Sequence, residues 1–169
     1  MGKHIAIVDP FPRTLELIFS KDKFKILKSK YNLLYAPKNK KNFFYEKNIH
    51  KASFIIGQPD LPKQLLIRAK NLKAIINVES NFINNMDYQY CFKKGIHVIA
   101  TSPVFSKPVA EIALGMTLSL LRNIHTAHLD FIKGKEKYGL ESNLKASLLS
   151  EKKIGLLGFG DLAKSLYPL

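Results

Sequence analysis

Near the end of the chain, "KIGLLGFGDLAKSL" sets Gly158, Gly160 and Ala163 in the pattern G-x-G-x-x-A, after an apolar run and at the start of an amphipathic one. Each position has a task if the segment folds as strand, turn and helix. Gly158 permits the tight turn, Gly160 lets the backbone approach a ligand closely, and Ala163 lets the helix pack near the strand. The amides of Asp161 and Leu162 then face outward at the positive end of the helix, where a pyrophosphate is a natural ligand. The pattern points to a dinucleotide, although glycine turns of this kind also serve packing alone. Other reactive side chains are sparse. His4, His50, His97, His125 and His128 are scattered, and only His125 and His128 stand one helical turn apart, a metal pair without a third ligand. Cys91 is the single cysteine, which excludes an internal disulfide and a multi-cysteine zinc site. No metal is expected.

The elements that must position this turn read as alternating strands and helices. "KHIAIV" is a short β-branched run ended by "DPFP", and "RTLELIFS" has helical spacing. "KFKIL" and "YNLLYAP" offer a second strand, and "KNFFYEKN" a helix with Phe43, Phe44 and Tyr45 in the core. "ASFIIG" is a third strand. "QPDLPKQLLIRAKN" follows as a helix capped by Asp60, with Leu65, Leu66 and Ala69 inward. "LKAIINV" and "IHVIA" are further strands around a short helix stopped by Gly95. Five alternations with short links predict a parallel sheet covered on both faces, an α/β fold. The boundary lies at "TSPVFSKP". Beyond it the spacing predicts one long helix to about Lys133, capped by Ser106, with Pro108 in its first turn and Glu111 at its positive end. That helix has two apolar stripes, Val109/Ile112/Ala113/Met116/Leu120/Ile124 and Ala110/Leu114/Leu118/Leu121, so two partners should cover it. Ile154 to Leu157 is the last expected strand.

Composition bounds the class. The 169 residues are 46% hydrophobic and 11% aromatic, ample for a packed core. The longest apolar run, Ile112 to Leu121, is too short to span a bilayer, and no signal peptide is visible, so a cytoplasmic protein is expected. Net charge is +14, from 27 basic and 13 acidic residues. A polyanion partner is one reading. Against it, Arg13, Arg68 and Arg122 are the only arginines and the lysines are dispersed between apolar positions, so nucleic acid is not the expected partner.

The stretch from "NVESNFINNMDYQYCFKKGIHVIATSPVFSKPVAEIALGMTLSLLRNI" through a linker to "KIGLLGFGDLAKSL" resembles the D-isomer-specific 2-hydroxyacid dehydrogenase family. The likeness covers roughly residues 52–166. It rests on a loop ending in Asn-x-Asp, a "KGIHV" strand, the "VAE" helix and the glycine turn. It implies a flavodoxin-like substrate domain over residues 1–102. Residues 103–169 would hold a linking helix and the first βα unit of an incomplete Rossmann NAD(P)-binding domain. It implies NAD or NADP as cofactor, at Gly158, Gly160, Asp161, Leu162 and Ala163, and a small 2-hydroxy or 2-oxo acid as substrate.

In that family the loop after the fourth strand binds the substrate carboxylate through backbone amides. Here it is Glu79, Ser80, Asn81 and Phe82, followed by Asn84, Asn85 and Asp87. Ser80 and Phe82 replace two glycines, Phe82 narrows the approach, and Glu79 adds a charge unfriendly to an anion. Phe105 stands where many members carry an asparagine that contacts cofactor or substrate. The family's arginine and its histidine–carboxylate pair lie beyond the glycine turn and have no counterpart among these residues. The resemblance thus implies an N-terminal fragment, inactive alone, and a homodimer through the linking helix. Two other readings stay open: a non-catalytic nucleotide-binding or interaction protein that pairs with a full-length homologue, and a basic nucleic-acid binder.

Overall fold

Short β-branched runs alternating with helices give a five-stranded, wholly parallel sheet, as seen in a computed structural model that describes residues 3–169. The chain divides into two units, one ending at Thr101 and one spanning Ser102–Leu169. In the first, the strands are β1 (Ile5–Asp9), β2 (Asn32–Tyr35), β3 (Ala52–Gly57), β4 (Ala74–Ile76) and β5 (His97–Ile99), in the order β2-β1-β3-β4-β5. This is the flavodoxin-like order, with its switch point between β1 and β3. Strand side chains alternate between faces. Ile7, Ile55 and Ile75 therefore join Tyr45, Ile49, Leu61, Leu66 and Cys91 in one core layer. Val8, Ile56 and Val78 face the other way, against Leu15, Phe19 and Leu27.

Helices α1 (Leu15–Ile18) and α2 (Lys21–Lys30) follow β1. Residues "KFKIL", expected as part of a strand, lie inside α2. Ser20 Oγ accepts from Lys23 N at 3.4 Å to start the helix, and Lys28 and Lys30 suit its negative end. Phe24 and Leu27 lie three residues apart, so the helical period applies, and only "NLLY" forms β2. Helix α3 (Lys41–Asn48) buries Tyr45 alone among its three consecutive aromatics. Phe44 is half-buried and Phe43 is 66% exposed, because neighbours on a helix point about 100° apart.

Helix α4 (Lys63–Arg68) buries Leu65 and Leu66, with Ala69 just beyond its end, as the spacing predicts. Asp60 does not cap it. Leu61 N donates to Asn85 O at 2.7 Å, which keeps that stretch extended until Pro62, the actual N-cap residue. Helix α5 (Tyr88–Lys93) starts at Asp87, whose carboxylate accepts from Tyr90 N at 2.8 Å, and ends before Gly95 at φ 71°.

The second unit contains α6 (Ser102–Leu121), α7 (Ile124–Ile132), α8 (Leu140–Asn143) and α9 (Asp161–Leu166). Here the expected single helix is two. Asn123 adopts the left-handed region at φ 54°, which asparagine tolerates better than most residues, and the chain breaks there. The helix also begins earlier than expected. Pro103 suits its first turn, Ser106 is interior with its hydroxyl donated to Pro103 O, and Pro108 lies within the helix. Its 20 residues are long and apolar enough, by length and composition alone, to cross a bilayer, unlike the shorter run Ile112 to Leu121 within it. Helix α9 packs against α6.

Of the two apolar stripes on α6 one is largely uncovered. Val109, Ile112, Met116, Leu120 and, on α7, Ile124 are exposed, whereas Ala110 is buried and Leu114, Leu118 and Leu121 are half-buried. Residues Ile154 to Leu157 do not form a strand. A strand needs a neighbour for its amides and carbonyls. None of the five strands among the described residues pairs with this stretch, and Ile154, Leu156 and Leu157 are exposed.

Candidate functional site

In parallel sheets, loops at the carboxyl ends of the strands carry ligands. Here β1 ends at Asp9, directly opposite Gly57 at the end of β3. Gly57 has φ 149°, and a Cβ there would run into the Asp9 carbonyl, so glycine is required for the two strands to close at the switch point. The Asp9 carboxylate is buried. It accepts from Lys41 Nζ at 2.6 Å and from Tyr45 OH at 3.3 Å, both on α3. Burial first, then the adjacent Asp9 charge and hydrogen bond, hold the Tyr45 phenol far above its ordinary range.

The loop Glu79–Phe82 follows β4, and two residues from the ends of β3 and β1 hold it. Gln58, just after β3, accepts from Glu79 N at 2.9 Å and donates to Asn81 O at 3.2 Å. Arg13, after β1, donates to both Glu79 oxygens, from Nε at 2.7 Å and Nη2 at 3.2 Å. This fork geometry is the strong form of the pair, and it raises the Arg13 pKa. The Glu79 charge, unfriendly to an anion by itself, is therefore matched by a guanidinium. Ser80 is half-buried, Asn81 is exposed, and Phe82 is 57% exposed with its ring edge-on to Tyr88 at 5.4 Å. Tyr88 OH donates to Ile83 O at 2.6 Å, and buried Asn85 donates to Pro59 O at 2.9 Å. The loop is thus braced on both sides. Exposed Asn84 lies between these anchors.

The motif residues at the second position lie in the other unit. Gly158 has φ 92°, a conformation side chains other than glycine's rarely adopt. A Cβ on Gly160 would meet nothing within 4 Å, so the backbone face there is open to an approaching group. Gly160 is also the residue before α9, where Asp161 and Leu162 present first-turn amides that have no partner within a helix. Ala163 is half-buried in α9. The Asp161 carboxylate accepts from Ser102 Oγ at the start of α6. The turn thus combines a left-handed glycine with open space beside Gly158 and Gly160. The strand expected before it is missing.

His4 Nδ1 lies 3.1 Å from Ser53 Oγ and His125 Nε2 3.2 Å from Thr126 Oγ1. No group of three metal-binding side chains comes together among the described residues. Cys91 is buried, and burial raises its thiol pKa, with Asp87 adding to the shift. Phe105 is half-buried in α6. Sequence reasoning missed Arg13, Gln58, Asp9 and Lys41 as parts of the site. The one available signal was position: Asp9 and Arg13 belong to the "DPFPR" turn after β1, and Gln58 directly follows β3.

No family model matches the chain. Among curated proteins it is 34% identical over 97 residues to a hydroxypyruvate reductase of Thermotoga maritima, covering 57% of this chain and 30% of that one. It is 28% identical over 143 residues to glyoxylate/hydroxypyruvate reductase A of Arabidopsis thaliana, covering 83% and 45%. A phosphoglycerate oxidoreductase from Rhizobium etli superposes with a TM-score of 0.74 at 43% identity, over 98% of this chain and 51% of that one. An NADPH-dependent glyoxylate/hydroxypyruvate reductase from Sinorhizobium meliloti shares the fold at TM-score 0.71 and 18% identity, over 99% and 50%. The chain spans between 30% and 51% of the length of these four proteins. Its relatives in sequence and in structure are D-isomer 2-hydroxyacid dehydrogenases, and the likeness read from its motifs extends along about half of their length.

Proposed function

We propose that this chain carries the substrate-carboxylate loop and the opening pyrophosphate turn of a nicotinamide-dependent D-2-hydroxyacid dehydrogenase that acts on a small 2-hydroxy or 2-oxo acid. The observation that carries this reading is the likeness, over nearly the whole chain, to a phosphoglycerate oxidoreductase. In this reading residues 1–102 are the substrate domain and 103–169 begin the nucleotide domain.

The loop would hold the acid through backbone amides, with Gln58 and Arg13 fixing its shape. The Glu79 amide already donates to Gln58, so the amides of Ser80, Asn81 and Phe82 are the ones left to receive the carboxylate. Such preorganised donors bind an anion without reorganising first. At the other position the backbone of Gly158 and Gly160 and the amides of Asp161 and Leu162 would receive the pyrophosphate of NAD or NADP, with Ala163 seating the helix. When bound, the nicotinamide supplies the hydride donor or acceptor. The exposed stripe Val109, Ile112, Met116 and Leu120 on α6 supports pairing with a second copy or with a full-length homologue. The same stripe favours the second reading, a non-catalytic partner of such a homologue.

No histidine forms an ion pair with a carboxylate among the described residues, so an acid/base pair for the proton is not assembled here. The 169-residue chain alone should therefore bind 2-oxo acids weakly and turn over none. Titration with glyoxylate or hydroxypyruvate should shift the amide resonances of Ser80, Asn81 and Phe82, while NADH absorbance stays constant. Steady NADH oxidation, or shifts that leave this loop untouched, would overturn the assignment.

A further inference from the structure

Beyond that reading, we infer that the cleft at the carboxyl ends of β1 and β2 is a second small-molecule site, for a monocarboxylate with an aromatic body. The cleft is about 600 Å³ and lies wholly within the first unit. That falls inside the roughly 300–1,000 Å³ of ordinary ligand pockets. Phe11, Pro12, Tyr35 and Pro37 make its apolar walls, and Lys38 and Lys41 supply positive charge. Phe11 is 71% exposed and Tyr35 47%, so two large rings stand in water at one concave position. A flat apolar group lodged between them would remove both surfaces from water.

Charge selects the rest of the ligand. Lys41 is bound to Asp9 and also lies 5.3 Å from the centre of the Phe11 ring. Arg13, also in the lining, is bound to Glu79. Lys38, exposed in the lining, has no ion-pair or hydrogen-bond partner among the described residues. One uncommitted cation beside apolar walls fits a single negative charge. A dianion such as phosphate calls for several convergent donors, which the apolar walls do not provide. Helix α3 begins with Lys41 in the wall, and its N-cap residue Lys40 offers no side-chain cap, so its positive end adds to the same preference.

The test is amide NMR of the 169-residue chain titrated with phenylacetate, which lacks the 2-oxo group of the proposed substrates. Saturable shifts are expected at Phe11, Thr14, Tyr35 and Lys38, with a dissociation constant of about a millimolar. K38E should weaken binding roughly tenfold or more, and K38R should retain it. Lys38 is exposed, so both variants should keep the spectrum elsewhere unchanged. The site is refuted if phenylacetate gives no saturable shift there, or if its shifts are confined to Ser80–Phe82. The ligand class is refuted if inorganic phosphate or neutral benzyl alcohol acts as strongly as phenylacetate.

Discussion

Asp9 is a carboxylate almost wholly out of water, and two side chains from one helix keep it there. A buried charge without partners would cost several kcal/mol. Tyr45 supplies one of the two hydrogen bonds and has its own proton held by burial and by the Asp9 charge. The sign follows from linkage. In the unfolded chain a tyrosine ionises near pH ~10, whereas folded Tyr45 keeps its proton well above that. Its contribution is complete below the unfolded value and falls as pH rises past it. Y45F should cost about 1 kcal/mol at neutral pH and flatten the loss of stability above pH ~10. Denaturant unfolding at neutral and alkaline pH reads both, and an equally steep alkaline loss in the variant would contradict the account. Sequence could mark Asp9 as the end of a strand. It could not show that Lys41 and Tyr45, 32 and 36 residues later, converge on it.

At the scale of elements, the sheet closes at its switch point because one residue there lacks a side chain. Gly57 lies against the Asp9 backbone in a conformation that side chains resist. G57A should destabilise the first unit by about 2–4 kcal/mol, combining strain with a steric conflict that backbone cannot relieve. Thermal unfolding followed by circular dichroism checks this, and a shift within error of wild type would show that the strands can part at no cost. β1, β3, β4, β5 and the inward residues of α4 follow from period and β-branching. "KFKIL" is ambiguous because five residues with alternating lysines fit both periods, and the packing of Leu27 against the Val8 and Ile56 layer decides for helix. The break at Asn123 was invisible because asparagine also occurs inside helices.

For the whole chain, the two units differ in what supports their backbones. Strands β1, β3 and β4 each have strand neighbours, whereas residues 152–160 have no regular structure and are exposed throughout. Hydrogen exchange should therefore be slow in Ile7, Ile55 and Ile75 and fast in Ile154–Leu157. Strong protection of Ile154–Leu157 in a monomer would mean that a partner strand exists.

Local spacing alone determined the alternating α/β character and the glycine turn's shape requirements. These are properties of neighbours within a few residues, where period and side-chain type act directly. Only the tertiary structure decided that Arg13 meets Glu79 across 66 residues of chain and that Gln58 holds the candidate carboxylate loop. It alone decided that Ile154–Leu157 stays unpaired. Such contacts depend on which strand ends lie side by side, and strand order is fixed by burial of the whole sheet rather than by any short stretch.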